Sequence, residues 1–155
     1  MTMQNLEALV AEEDELNSEA PNYKDLIETV ISSLAQNDSA MVNHTQDGHL
    51  WKFQYGSVEV FVQLTGETED DLLTVWSPVL KLPAKNELDL MKKLMEMNWS
   101  GTFETCFGIF GDRIVVSSQR AVADLSATEI SRTITLVATI ADDNDEILQA
   151  EFGQE

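Results

Sequence analysis

The stretch from Thr102 to Thr139 constrains the fold most strongly, because it combines a β-hairpin signal with a clear helix start. Apolar residues alternate with polar or small ones from Phe103 to Ile109, which predicts a strand with one buried face. Gly111-Asp112 then supplies a two-residue turn, and an apolar, β-branched run follows it. Pairing across this turn joins apolar side chains: Ile109 with Ile114 and Phe107 with Val116.

The second half of the same stretch predicts a helix with a defined beginning. Ser126 and Glu129 form a capping box, and Leu125 and Ile130 flank it as a hydrophobic staple. Apolar residues then recur at helical spacing and predict one buried stripe: Ile130, Ile134, Val137 and Ala141. The stretch specifies a fold well, but it contains no group of residues that specifies a reaction.

Two further amphipathic helices are predicted earlier in the chain. The first follows Pro21-Asn22 and should end near residues 36–38, with apolar residues at helical spacing: Tyr23, Leu26, Ile27, Val30, Ile31 and Leu34. Asn86 can cap the second, which should run from Glu87 to about Trp99. Its inward residues are predicted to be Leu88, Met91, Leu94 and Met95.

Strands are predicted between these two helices. Residues 41–46 form the first candidate, and the Asp47-Gly48 turn after it sets His44 opposite Trp51. Gly56-Ser57 makes a second tight turn between two alternating segments. Pairing across it places large apolar side chains on one face: Trp51 with Val62, Phe53 with Val60 and Tyr55 with Val58.

The order of the elements predicts an α+β fold. A fourth strand runs from Leu72 to Leu80, with Pro78 at its end or on a sheet edge because proline cannot donate a ladder hydrogen bond. The order α-ββββ-α-ββ-α indicates three helices packed against one face of an antiparallel sheet. We expect residues 21–153 to form a single domain. Residues 1–20 are an acidic arm that could form a short amphipathic helix or be disordered.

The acidic composition narrows the classes of function. The formal net charge is −19, and residues 1–20 and 142–155 each hold six acidic residues and no Lys or Arg. Such a surface repels phosphate groups, so we expect no binding to nucleic acid or to an anionic membrane. Solubility alone is a sufficient reason for the charge. The sequence has no long apolar run and no basic secretory start, and Cys106 is its one cysteine. These features together predict a cytoplasmic protein.

Residues with reactive side chains do not form a catalytic or metal-binding motif in the sequence. We expect His44 to be a packed ring near Trp51 rather than a ligand, and Cys106 to be inert because no base lies near it. The acidic run 142–146 lacks the glycine and the final glutamate of a calcium loop and is predicted to be a solvated helix end. The acidic loop 67–71 is likewise predicted to be solvated. The sequence therefore predicts no enzyme, no cofactor and no metal.

Two aromatic residues of the predicted sheet form the candidate site. Phe61 lies between Glu59 and Gln63, out of phase with the valine-rich face of its strand, and Trp76 is out of phase in the fourth strand. Both are predicted to lie on the sheet face opposite the helices. Together with Glu59 and Gln63 they are a candidate partner or dimer surface, and scattered surface aromatics are the alternative.

Four segments carry a resemblance to a known family: residues 94–98, residues 107–116, Leu125-Ser126 and residues 141–153. Over roughly residues 22–153 the chain resembles the YbjN family, which has the fold of type III secretion chaperones, and it looks most like the short acidic members found in cyanobacteria. The resemblance implies three helices against a strongly bent antiparallel sheet, usually in a homodimer. It also implies protein binding without nucleotide and a label as a sensory-transduction regulator, and it supplies no catalytic residue.

Three functions compete on this basis. The leading hypothesis is a non-enzymatic protein-binding module, chaperone-like or regulatory, that acts through the exposed sheet face. The alternative is an acidic decoy of nucleic acid that occupies basic protein surfaces, and its binding should collapse in salt whereas apolar contact should persist. A small-molecule enzyme or carrier would need a closed pocket with convergent polar groups.

Overall fold

The computed structural model describes residues 22–35, 40–45 and 48–154, with side chains for the first and last of these segments. The predicted acidic arm, residues 1–20, lies outside the described residues. The elements are α1 (Tyr23–Leu34), β1 (Ala40–Thr45), β2 (Gly48–Tyr55), β3 (Val58–Leu64), β4 (Leu72–Lys81), α2 (Glu87–Ser100), β5 (Cys106–Phe110), β6 (Arg113–Ala121) and α3 (Ala127–Phe152). This confirms the predicted order of helices and strands and the α+β class.

The six strands described form one sheet, and every neighbouring pair in it is antiparallel. The spatial order is β1-β2-β3-β4-β6-β5, so β6 lies between β4 and β5. Helix α2 connects β4 to β5 at the sheet edge, and the hairpin then returns the chain to β4. The ladder between β4 and β6 extends from the Leu72–Ala121 pair to the Lys81–Arg113 pair and joins the two halves of the sheet.

Two of the three tight turns that the sequence predicted, Gly56-Ser57 and Gly111-Asp112, are present with the predicted register. Gly56 has φ 55° and Gly111 has φ 62°, a left-handed conformation that glycine adopts without steric cost. Across the first turn the pairs are Tyr55–Val58, Phe53–Val60 and Trp51–Val62. Across the second they are Ile109–Ile114 and Phe107–Val116.

The register of the first hairpin differs from the prediction. His44 pairs with His49, and Trp51 pairs with Met41, so the predicted pairing of His44 with Trp51 is wrong. Thr45 pairs with Gly48, so the connection between β1 and β2 lies one residue earlier than the predicted turn at Asp47-Gly48. Each residue of β1 therefore pairs with a residue of β2 two positions away from the predicted partner. A bulge between residues 41 and 43 then shifts the pairing again.

Two local strand predictions also need correction. β5 begins at Cys106 rather than at Phe103, because Phe103 has φ 52° and points into solvent, which breaks the strand alternation. Pro78 lies inside β4 and not at its end. The ladder between β3 and β4 stops at the Phe61–Trp76 pair, so Pro78 pairs only with β6 and its missing N–H leaves no partner unsatisfied on the β3 side.

One face of the sheet, here called the inner face, packs against α1 and α3 to form a single hydrophobic cluster. Its strand residues include fully buried valines: Val60, Val62 and Val75. Helix α3 supplies the predicted stripe, which is fully buried: Ile130, Ile134, Val137 and Ala141. The Ser126 hydroxyl accepts the Glu129 amide as predicted, but the Glu129 carboxylate pairs with Arg120 and does not close the capping box.

Helix α2 covers the free edge of β5 through one side chain. The Phe107 amide donates to Asn98 Oδ1 at 2.6 Å, and Asn98 Nδ2 donates to the Phe107 carbonyl at 3.2 Å. The asparagine amide thus makes the two hydrogen bonds that a neighbouring strand would otherwise make at this residue. An edge satisfied in this way does not recruit another strand there.

The orientation of α2 differs from the predicted one. Leu90 and Leu94 are buried, whereas Leu88 and Met95, which were predicted to point inward, are exposed. The sequence places apolar residues on two sides of this helix, and tertiary packing selects the Leu90–Leu94 side. Asn86 has φ 49° and makes no capping hydrogen bond with its side chain, so its predicted capping role is also wrong.

Candidate interaction surface on the outer sheet face

Three aromatic rings lie together on the sheet face opposite the helices, here called the outer face. Phe61 and Trp76 are direct partners in the β3–β4 ladder, and their rings stack with centroids 5.3 Å apart and an interplanar angle of 10°. The Phe110 ring lies 6.0 Å from Trp76 at 43°. These three residues, here called the aromatic row, therefore cross β3, β4 and the more distant β5.

Strand alternation explains why the row faces outward. Phe61 lies between the fully buried Val60 and Val62, so burying the valines directs the phenylalanine to the opposite face. Trp76 likewise lies between Val75 and Ser77, which are both buried, so its side chain points to the outer face. Phe110 ends β5 beside the Gly111-Asp112 turn and is 65% exposed.

A groove of about 340 Å³ opens beside the aromatic row. Its lining is uncharged: Gln63, Thr74, Trp76, Gly108, Ile109, Phe110, Val115, Ser117 and Gln119. A Cβ atom added at Gly108 would meet no atom within 4 Å, so the glycine leaves open space above the sheet. Gln119 Nε2 donates to Thr74 Oγ1 at 3.1 Å and so orders the polar wall of the groove.

The predicted site residues lie on this face but not all at the groove. Gln63 lines it, and Phe61 supports it by stacking on Trp76. Glu59 is exposed farther along β3 and pairs with Lys52 at 3.8 Å, so it lies outside the groove lining. Sequence reasoning missed Phe110, although its position directly after Ile109 in the predicted hairpin already placed it out of phase with the buried Phe107.

A second apolar surface lies on α2. Leu88, Met95 and Trp99 are all exposed, Trp99 to 92%, and helical geometry places them with Lys92 within an arc of about 60°. This group of four residues is here called the α2 stripe. Lys92 makes no ion pair among the described residues. The stripe lies nearly opposite the buried Leu90–Leu94 side of the same helix.

The acidic run 142–146 is not the solvated helix end that the sequence predicted. It lies inside α3, and Asp145 is only 4% exposed. The Ser57 hydroxyl lies 2.8 Å from both oxygens of Asp145, and the Ser57 amide donates to Asp142 Oδ1 at 2.9 Å. These two carboxylates therefore fix the turn between β2 and β3 to the helix.

The acidic loop before β4 is organised by one carboxylate. The Thr68 hydroxyl donates to Asp71 at 2.7 Å, the Thr68 amide at 2.8 Å and the Thr65 hydroxyl at 2.9 Å. These hydrogen bonds, the Thr68 hydroxyl foremost, lower the pKa of Asp71 below its ordinary value. The carboxylate acts within the loop, which makes it a structural group.

The pKa of Glu104 is also lowered below its ordinary value. Hydrogen bonding to its own backbone amide is the largest cause of the lower pKa, and a two-point contact with Arg132 at 3.0 and 3.1 Å is the next.

Cys106 is exposed, and its Sγ lies 3.9 Å from Ser117 Oγ. In the segments described, His, Cys, Asp and Glu do not come together in groups of three or more that could hold a metal ion. The helices of those segments also include none long and apolar enough to cross a membrane.

Comparison with known proteins identifies the family. The family model for YbjN, described as "Putative bacterial sensory transduction regulator", matches residues 23–150. The chain belongs to the YbjN family. A separate comparison of structures shows that the chain has the same fold as a solved structure described as "Crystal Structure of the ExsC-ExsE Complex". The TM-score is 0.54 and the sequence identity is 16%. That match covers 83% of this chain and 95% of the other chain, and it gives the fold as type III secretion chaperone-like. A search of curated proteins finds no match.

Proposed function

We propose that this YbjN protein is a non-enzymatic, cytoplasmic protein-binding module, chaperone-like or regulatory, and that its partner binds at the outer face. The observation that carries the proposal is the aromatic row with its open groove. The helices described in the structure pack on the inner face and beside the β5 edge, so the row is not covered by them. Exposed clusters of aromatic residues are typical anchors of protein interfaces.

The chemistry of the groove favours an apolar side chain from the partner. Trp76 and Phe110 supply flat apolar area, and the amides and hydroxyls of the wall supply hydrogen bonds without charge. Pockets with mostly apolar linings and a few polar groups bind by excluding water and use the polar groups for orientation. This surface supports apolar contact better than it supports charge mimicry.

The comparisons support a protein partner without naming one. The family description is regulatory, and the similar solved structure is a complex of two named chains. Neither the family nor the fold is of an enzymatic kind, which is consistent with the absence of a catalytic motif in the sequence.

We also propose that the protein forms a homodimer, and that the α2 stripe is the contact. Two copies of α2 crossing antiparallel about a twofold axis near residues 93–94 would set Leu88 of each copy against Trp99 of the other. The stripe is therefore self-complementary, and burial of two tryptophans would stabilise the contact. The outer face then remains available to the partner.

Affinity capture with matched variants tests the partner site. We expect the Trp76→Ser, Phe110→Ser double variant to lose at least about tenfold of the captured partner, because both side chains line the groove. The Trp99→Ser variant is the control, since Trp99 lies on the α2 stripe and should keep the partner. Capture should also persist when salt is raised from about 0.1 M to 0.5 M, at which exposed charges are strongly screened.

Two results would contradict this proposal. Partner capture that is unchanged in the double variant would exclude the outer face as the binding site. Capture that collapses with salt in the wild type would favour the acidic decoy, whose binding depends on charge.

Mass measurement tests the homodimer separately. Light scattering coupled to gel filtration at tens of micromolar should give twice the chain mass of 17.3 kDa for the wild type. Trp99→Ser should shift the mass toward one chain, and Trp76→Ser should not. A wild-type mass of one chain would exclude the dimer.

A further inference from the structure

A cavity of about 430 Å³ lies where the end of β4 and the start of β6 meet the end of α3. It is separate from the groove of the outer face, and its lining residues are Pro78, Val79, Leu80, Lys81, Arg113, Gln149, Gly153 and Gln154. Volumes of roughly 300–1,000 Å³ are usual for sites that hold small molecules. This cavity is thus large enough for a ligand of several non-hydrogen atoms.

Two cations line the cavity directly opposite each other. Lys81 and Arg113 are partners in the β4–β6 ladder, so their side chains leave the same face of the sheet at the same level. Like charges directly opposite each other destabilise a sheet. In a chain with 28 acidic and only nine basic residues, this pairing of two bases is unexpected on composition alone.

The charges of this pair are incompletely neutralised. Lys81 makes no ion pair within the described segments, and Arg113 has one carboxylate near it, with its Nε 3.6 Å from Asp112 Oδ1. Both Arg113 and Asp112 are largely exposed in that contact, which weakens it. The terminal nitrogens of the guanidinium remain available for a two-point contact with an anion.

Several backbone groups around the cavity already have hydrogen-bond partners. Gln149 Nε2 donates to the Val79 carbonyl at 3.3 Å, and the Gly153 amide donates to the Gln149 carbonyl at 2.9 Å. The Lys85 amide donates to the Phe152 carbonyl at 2.7 Å. The charged groups of the lining that can act on a ligand are the two cations, and Gln154 lines the cavity with them.

We propose that this cavity binds an anionic oxygen group, a carboxylate or a phosphate, between Lys81 and Arg113. A bound anion would remove the repulsion between the two bases and would accept hydrogen bonds from both. The proposal does not depend on the partner-binding role of the outer face. The competing explanation is that the two bases only offset the negative end of the α3 dipole, in which case wild-type protein would bind no anion there.

Two-dimensional NMR of the full chain tests the site with two probes, inorganic phosphate and glutarate, at constant ionic strength. We expect saturable shifts at the amide of Gly153 and at the side-chain signals of Gln149 and Arg113 with at least one probe. The probe with the higher affinity shows whether the site prefers a phosphate or a carboxylate. Sodium chloride at the same ionic strength should give no saturable shift, because screening alone does not saturate at one site.

Variants of the same residues separate binding from stability. Lys81→Gln with Arg113→Gln should weaken the tighter probe at least about tenfold, and Arg113→Lys should weaken it less because the charge is kept but the two-point contact is lost. Asp112→Asn should strengthen binding by up to about fivefold, because it removes a competing carboxylate. Lys24→Gln, on α1 and outside the cavity lining, should change nothing.

Three results would overturn the proposal. The first is the absence of saturable shifts with both probes up to about 50 mM, which is far weaker than the millimolar affinities usual for small polar ligands. The second is an equal affinity in the double glutamine variant. The third is a loss of thermal stability in that variant while the wild type shows no probe binding, which would support the helix-dipole explanation.

Discussion

Replacing Trp76 with alanine tests whether the aromatic row is a surface feature held by ring stacking. Trp76 is half-buried and contacts two rings, Phe61 at 5.3 Å and Phe110 at 6.0 Å. Each aromatic pair is worth roughly 0.5–1.5 kcal/mol beyond area burial, so the two ring contacts alone contribute about 1–3 kcal/mol to the loss. Phe61 contacts one of these rings, and its replacement should cost about half as much.

A double-mutant cycle isolates the stacking energy. The variants Phe61→Ala, Trp76→Ala and their combination should show a coupling energy of about 1 kcal/mol, because the single changes remove the same ring pair. Urea unfolding gives each free energy, and an unchanged m-value would show that the surface exposed on unfolding is the same. Phe103→Ala is the exposed control, since Phe103 is 78% exposed and lies outside both proposed contact surfaces, and it should change stability by less than about 0.5 kcal/mol. Phe53→Ala is the buried control and should cost about 3–5 kcal/mol.

Two outcomes would refute this reasoning. A coupling energy near zero would show that Phe61 and Trp76 do not stack in solution. A loss at Trp76 as large as the loss at Phe53 would show that Trp76 belongs to the core and that the outer face is covered.

Three further predictions concern the acidic residues. Ser57→Ala should cost about 1–3 kcal/mol in urea unfolding, because it removes a hydroxyl donor from the buried Asp145, and a change below about 0.5 kcal/mol would contradict this. The folded-state pKa of Asp71 is lowered, so its contribution is present above the unfolded pKa and is lost as the pH falls through the folded pKa. Asp71→Asn should therefore be less stable than wild type at pH 7, and the difference should shrink as the pH falls below 3.8; melting curves across this range check it, and a difference that does not change with pH would exclude it. Calcium and zinc should leave the melting temperature unchanged, since a metal that bound only the folded state would raise it, and a rise of several degrees would show that the acidic run 142–146 was misread.

The sequence determined the elements whose signals are local. The hairpin at Gly111-Asp112 and the turn at Gly56-Ser57 were predictable to the exact pairing, because two glycines with positive φ and strict alternation leave few other registers. The start of α3 was predictable for the same reason, since Ser126 and its neighbours satisfy a cap within one turn. The outward placement of Phe61 followed from alternation alone.

Tertiary packing decided the features for which the sequence offered two equivalent choices. Helix α2 carries apolar residues on both sides, and contact with the core selected Leu90 over Met95. The first hairpin carries a strong turn signal at Asp47-Gly48, but the observed pairing of β1 with β2 and a bulge near Met41 give a different register.

The structure alone revealed how residues distant in sequence combine. Asp145 looked like part of a solvated acidic run, yet Ser57, 88 positions earlier, holds it in a buried contact. Phe110 joins Trp76, and Lys81 meets Arg113, because the β4–β6 ladder brings the two halves of the sheet together. Local patterns fix turns, caps and faces, but only the pairing of distant strands determines which side chains share a surface.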